Sequence, residues 1–219
     1  MLHELEIAGE AMALHPWGVV YWERPSMLLI SELHLGKVMH FRKHGAAVPR
    51  RALLRNFERL REVSAYFGPR SICFLGDLFH SHINREWLLF EQWARGSTAR
   101  LELVCGNHDI LSPLRYEALG MRWRERWENG PFLLTHEPEE ADTLFNVSGH
   151  IHPAVRLAGP GRQQLRLPCF YLRKQQLILP AFGAFTGSHA LSPEAGDRIF
   201  ALAGDRVIAL EEPARGPRA

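Results

Sequence analysis

Five short apolar runs in this chain each end, within three residues, in a side chain that can bind a metal ion. Met27–Ile30 leads into Glu32-Leu33-His34, and Ile72–Leu75 into Gly76-Asp77. Leu101–Val104 leads into Cys105-Gly106-Asn107-His108-Asp109. Phe132–Thr135 stops at His136, and Phe145–Ser148 at Gly149-His150-Ile151-His152. Apolar runs this short, bounded by turn residues, read as buried strands. Ligands at the ends of adjacent strands converge in one crevice, where open α/β sheets place their sites. Any single one of these clusters is weak evidence. Asn, Gly and Asp are the common turn residues, and a lone histidine is more often structural or superficial. Five in succession reverse that balance.

The donor set is carboxylate (Glu32, Asp77), amide (Asn107) and imidazole (His34, His136, His150, His152), with no thiolate. Such a set suits Mn, Fe, Zn, Co or Ni rather than a structural cysteine-zinc site. It is also larger than one ion needs. Two divalent ions about 3.5–4 Å apart, sharing one carboxylate, would use it and clamp the oxygens of an in-line phosphoryl displacement. Beside the donors, His108 can move a proton, and Asp109 is of the type that fixes an imidazole tautomer.

The remaining chain fits an α/β fold. Leu5 and Ile7 begin a strand, and Val19–Trp22 is another. A 3.6-residue apolar period predicts helices over 50–66 and 85–95, with shorter ones over 37–44, closed by Gly45, and over 112–119. Residues 155–210 alternate in short apolar runs and read as sheet. The 219 residues fit a single domain over 1–210, followed by a frayed Pro, Gly and Arg-rich tail over 211–219. The apolar share of 46% and charged share of 23% exclude a disordered chain. A net charge of +2 does not by itself point to a polyanion. Cys73, Cys105 and Cys169 cannot make a disulfide framework, so a reducing compartment is expected. With no signal peptide and no apolar run of membrane-spanning length, the expectation is a cytoplasmic protein without a membrane partner.

The ordered series Glu32-Leu-His34, Gly76-Asp77, Gly106-Asn107-His108-Asp109, His136 and Gly149-His150-Ile151-His152 resembles the calcineurin-like metallophosphoesterase superfamily, with its D-x-H, G-D, G-N-H-D/E, H and G-H-x-H motifs. Ser31–Arg42 with Val48-Pro49, Gly76–His82, Arg162–Phe170 and Leu179–Gly187 extend the likeness to the ligase-associated DNA damage response endonucleases of the PdeM type. The resemblance implies a four-layer αββα fold, a two-sheet β-sandwich flanked by helices, with the site at strand ends. It implies one metal held by Glu32, His34, Asp77 and His152, and a second held by the bridging Asp77, Asn107, His136 and His150. Manganese is the first expectation for both. His108 would protonate the leaving oxygen, with Asp109 orienting it. Glu32 departs from the family's Asp: its carboxylate reaches one methylene further. His80, where many members have Asp, and Arg42 are candidate substrate contacts.

A two-metal phosphodiester hydrolase acting on DNA and linked to repair, beside a ligase or helicase, is therefore the leading expectation. Oligomeric state stays open. A hydrolase of small phosphodiesters or phosphomonoesters, such as cyclic nucleotides, would use the same centre. A non-catalytic scaffold on this fold is the third reading, and His108 speaks against it. Two basic groups are either solvated faces or surfaces that meet phosphates: Lys37, Arg42, Lys43, Arg50, Arg51, Arg55, Arg59 and Arg61, and then Arg156, Arg162, Arg166, Arg173 and Lys174. His3, His15, His40, His44 and His189 read as structural or surface residues rather than ligands, and Trp87, Trp93, Trp123 and Trp127 as packing residues. Phe182–Gly187 is either a cover over the site or a packing turn.

Overall fold

The computed structural model describes residues 1–37, 51–184 and 186–210. Arg42, Lys43 and Arg50, most of the helix expected over 37–44 with its Gly45 stop, His40, His44, Phe185 and the tail over 211–219 lie outside the described residues.

The amino-terminal strands form an antiparallel meander: β1 (His3–Ile7), β2 (Glu10–His15), β3 (Val19–Trp22) and β4 (Met27–Ile30). From β4 onward the sheet turns parallel through β5 (Ser71–Leu75), β6 (Arg100–Val104) and β7 (Arg122–Arg124). Parallel neighbours need long crossovers. The helices α1 (Arg51–Phe67), α2 (Arg85–Gly96) and α3 (Pro113–Glu117) lie between successive strands of this set. Phe57, Leu60 and Val63 form the buried stripe of α1, and Trp87, Phe90, Trp93 and Ala94 that of α2. The Asn84 side chain caps α2 by accepting from the Glu86 amide at 2.8 Å.

A second sheet is built from β8 (Trp127–Asn129), β9 (Phe132–Leu134), β10 (Phe145–Ser148), β11 (Pro153–Ala158), β12 (Gln164–Arg173), β13 (Gln176–Ile178), β14 (His189–Ala190), β15 (Arg198–Ala203) and β16 (Arg206–Leu210). Its order is β14-β11-β12-β13-β10-β9-β8, and β15 and β16 extend from β12. The two sheets pack face to face. Leu29, Cys73, Leu75 and Val104 from the first meet Phe132, Leu134, Val147 and Leu179 from the second. The alternate residues Leu28, Ile30, Ile72 and Phe74 point the other way, under α1 and α2. This double burial explains why β4 and β5 are continuously apolar. Each such side chain contributes roughly 1.5–3 kcal/mol by leaving water.

The expected α/β sandwich of two sheets is present. Its described helices all pack on the first sheet. The outer face of the second carries Val155, Cys169, Tyr171, Ile178 and Ile199 under Leu191 and neighbouring loop residues. Residues 155–210 have no helical period with which to build a further layer. Three strands were not foreseen. β2 follows a two-residue turn whose only sequence signal is Gly9, since Ala8 also stands at φ 51°. β7 and β8 are three residues each, too short to show a period. No helix among the described residues is long and apolar enough to cross a membrane.

Candidate metal centre

The carboxyl ends of β4, β5 and β6 meet those of β9 and β10 across the sandwich. Backbone bonds stitch the segments beyond them together: the Glu32 amide donates to Gly76 O at 3.3 Å, His34 to Asp77 O at 2.8 Å, and Gly149 to His136 O at 2.9 Å. Five of the seven sequence-predicted ligands stand in left-handed backbone. Their φ values are 57° at Glu32, 48° at His34, 49° at Asp77, 64° at His150 and 52° at His152. This conformation costs a non-glycine residue about 1–3 kcal/mol, and it persists only where the surroundings over-determine it. Each of the five turns its side chain back into the crevice instead of continuing the strand. Two glycines make room for that. A Cβ on Gly76 would lie 2.1 Å from His136 Nδ1, and one on Gly106 would lie 2.2 Å from Asp77 Oδ1.

The donor atoms fall into two groups. In the first, Glu32 Oε2 lies 2.6 Å from His152 Nε2 and 2.9 Å from His34 Nε2, and those two nitrogens are 3.4 Å apart. In the second, His136 Nε2 lies 2.9 Å from Asn107 Oδ1, 3.0 Å from His150 Nδ1 and 3.6 Å from Asp77 Oδ1. The other Asp77 oxygen is 3.7 Å from His34 Nε2, so this carboxylate faces both groups. Donors held about 2.0–2.2 Å from one ion stand roughly 3 Å from each other, which is the spacing seen in both groups. The tautomers agree. His152 Nδ1 lies 3.0 Å from Gly187 O and His136 Nδ1 lies 3.3 Å from Leu75 O. Each ring can donate that proton to the carbonyl and turn a bare Nε2 lone pair to the crevice. A single proton can join one pair in such a cluster of lone pairs; a cation at its centre serves them all.

Electrostatics favour a charged Glu32. Burial raises its pKa, yet the contacts with His152, His34 and His136 prevail and hold the carboxyl well below its usual range. Burial lowers the pKa of His152, but the adjoining Glu32 carboxylate outweighs it, and the net shift is upward. The longer side chain of Glu32 is used at both ends, because Oε1 also accepts from the His150 amide at 2.7 Å.

His108 sits at the lip of the crevice. Its amide donates to Asp77 Oδ1 at 3.0 Å, and its ring centroid is 3.9 Å from that of His80 and 6.0 Å from that of His34. Burial and the neighbouring His108 lower the His80 pKa to about 4, so His80 is neutral near pH 7. Asp109 corrects an expectation: it does not orient the His108 ring. Its two oxygens accept from the Phe79 amide at 2.9 Å and the Gly106 amide at 2.8 Å. The tight turn folds the carboxylate back on its own start and ties it to the loop after β5. Burial pushes its pKa up to about 7 against those two bonds.

A strap crosses the Glu32 segment, and its partners on Ser31, Glu32 and Asn56 carry no signal in the sequence. Phe182 N donates to Ser31 O and Gly183 N to Glu32 O, both at 3.0 Å. Buried Asn56 on α1 accepts from the Ala184 amide at 3.0 Å. Phe182 is fully buried. Of the two readings for Phe182–Gly187, its start is therefore a packing strap. Arg59 leaves the basic surface group. It donates to Phe182 O at 2.8 Å and Trp17 O at 3.0 Å, with its guanidinium over the Phe182 ring.

This architecture matches a solved structure, the Pseudomonas putida nuclease MPE, over 96% of this chain and 100% of that one, with 29% identity and a TM-score of 0.79. The chain has a metallophosphoesterase fold. The phosphoesterase Yfce from E. coli is more distant, at 16% identity over 84% of this chain and 96% of its own, with a TM-score of 0.45. Scans against family models and curated proteins return no match. The clustered carboxylates and imidazoles in this crevice are of the kind that suits a divalent metal ion.

Proposed function

We propose that this chain is a two-metal-dependent phosphodiester hydrolase whose substrate is DNA. The observation that carries the proposal is the convergence of seven donor side chains from five strand ends into two adjoining groups that share Asp77. Glu32, His34, Asp77 and His152 would hold one ion, and Asp77, Asn107, His136 and His150 the other. Manganese is our first choice, because the donors mix hard oxygens with imidazole and include no thiolate. Two divalent ions held there would supply an activated water and neutralise charge on the phosphoryl oxygens. The chain's own groups must do the rest. His108, at the lip with no carboxylate fixing its ring among the described residues, is placed to give a proton to the departing oxygen. His80, packed on it and neutral, limits where that ring can swing and offers a hydrogen bond to the substrate.

DNA as substrate is supported by the likeness to a protein described as a nuclease and by the resemblance to ligase-associated endonucleases. That resemblance extends the proposal to a cytoplasmic part in DNA repair beside a ligase or helicase. The test compares bis-p-nitrophenyl phosphate, p-nitrophenyl phosphate, single-stranded DNA and duplex DNA with Mn, Zn and Mg. Cleavage of the diester and of DNA, lost with chelator, is expected. Hydrolysis confined to the monoester would overturn the proposal.

A further inference from the structure

The hairpin of β11 and β12 leaves the sheet just after His152. β14 pairs β11 only at Pro153 and Ala154, while β13 and β15 pair β12 only from Cys169 onward. Residues 155–168 therefore stand out as a two-stranded arm, and its turn is a short 3-10 segment over Pro160–Arg162. Its two faces differ. Val155, Leu157 and Leu167 pack against the outer cluster of the second sheet. The other face carries Arg156 directly opposite Arg166. Like charges set opposite each other across a ladder are destabilising. Both arginines are exposed, and neither has a carboxylate partner among the described residues. Alternating signs would serve solubility equally well, so the pairing of two positive charges calls for an anion from outside.

The position of that face supplies the anion's identity. Ala154 pairs with Pro168 one period nearer the sheet, and so shares the arginine face. Pro168 lines a cleft of about 280 Å³ together with His152, Trp17, Arg59 and Thr186. Arg166 is two residues beyond Pro168, roughly 7 Å along the strand. A continuous path thus runs from the metal-ligating His152 through the cleft to the arginine pair. A single phosphodiester group at the metals does not span this path; a polymer of phosphodiesters does.

Resting on the reading of the site as a DNA hydrolase, we propose that the β11–β12 arm holds the backbone of single-stranded DNA beside the scissile bond, with Arg156 and Arg166 taking its phosphates. The test uses full-length protein with Arg156→Gln/Arg166→Gln and, separately, Arg166→Glu. Thermal stability, bis-p-nitrophenyl phosphate hydrolysis, and cleavage and binding of a single-stranded oligonucleotide are followed across salt. The double variant is expected to keep small-diester turnover, to raise KM for the oligonucleotide about tenfold, and to flatten the log–log salt dependence by roughly 1.4. Arg166→Glu opposite Arg156 is expected to raise KM further while leaving the melting temperature equal or higher, a combination that a merely structural arginine would not give. An unchanged oligonucleotide KM and salt slope would overturn the arm and leave the DNA reading standing. Equal losses on both substrates would make the arginines structural and overturn it too. A wild-type protein that hydrolyses the small diester but neither cuts nor binds the oligonucleotide would overturn the DNA reading and the arm with it.

Discussion

At the scale of single residues, the centre trades backbone comfort for convergence. Glu32 is the sharpest instance: it is buried, it stands at positive φ, and its two oxygens serve different neighbours. Glu32→Gln keeps the shape and an acceptor for the His150 amide but removes the charge. It should therefore fold and bind fewer metal ions, falling from about two per chain towards one, as read by elemental analysis after gel filtration. Undiminished metal content would take Glu32 out of the ligand set. Gly76→Ala tests the cradle from the other side, since its Cβ would fall on the His136 ring in a backbone with φ 77°. It should destabilise by about 1–3 kcal/mol and lose metal, whereas a neutral outcome would mean that His136 has room to move. His108→Ala should slow phosphodiester hydrolysis by about 100-fold or more at full metal occupancy, as loss of a positioned acid does. Unchanged turnover would remove His108 from the chemistry.

At the scale of elements, the ends of β4, β5 and β6 were legible because these strands are buried on both faces and so read as short, mostly apolar runs, with glycine soon after β5 and β6. Helices α1 and α2 were legible through their stripes, within a residue or two at each end. What the sequence hid was non-local. Nothing near Asn56 marks it as the anchor of Ala184, and nothing near Arg59 marks it as a clamp on Trp17 and Phe182 instead of a surface charge. The reading of Asp109 failed for a similar reason: the motif names the residue, but the turn decides which way its carboxylate faces. The seam between β2 and α1 offers a pH test. His15 Nδ1 accepts from the Trp17 amide at 3.1 Å, and the ring packs against Trp17, Tyr66 and Phe67. Burial and the positive charges of the amino terminus and Arg59 lower its pKa to about 4, from 6.5 in an unfolded chain. The unfolded state thus binds the proton first as pH falls, so stability drops between about pH 6.5 and 4. His15→Asn should lose part of that drop in urea melts at pH 7 and pH 4.5. Parallel pH profiles for the two proteins would show that the ring is free to protonate in place.

At the scale of the whole molecule, the two sheets are joined by apolar packing along most of their faces, but at one end the joint is made of charge and lone pairs. Glu32, His34, Asp77 and Asn107 come from the first sheet, and His136, His150 and His152 from the second. A cation bound among them would link the sheets, and an unfolded chain rarely offers a preformed site of this kind. Binding to the native state alone adds RT ln(1 + [L]/Kd), or about 2.7 kcal/mol at one hundred times Kd. For a chain of this size that corresponds to a rise in melting temperature of roughly 5–10 °C. The shift should appear with manganese, reverse with chelator, and shrink in Glu32→Gln and in an Asn107→Ala variant, which removes a donor from the first sheet without touching the core. Apolar contacts alone would give the same melting temperature with and without the ion. That result would mean the seven side chains approach one another for reasons of packing and hold nothing between them.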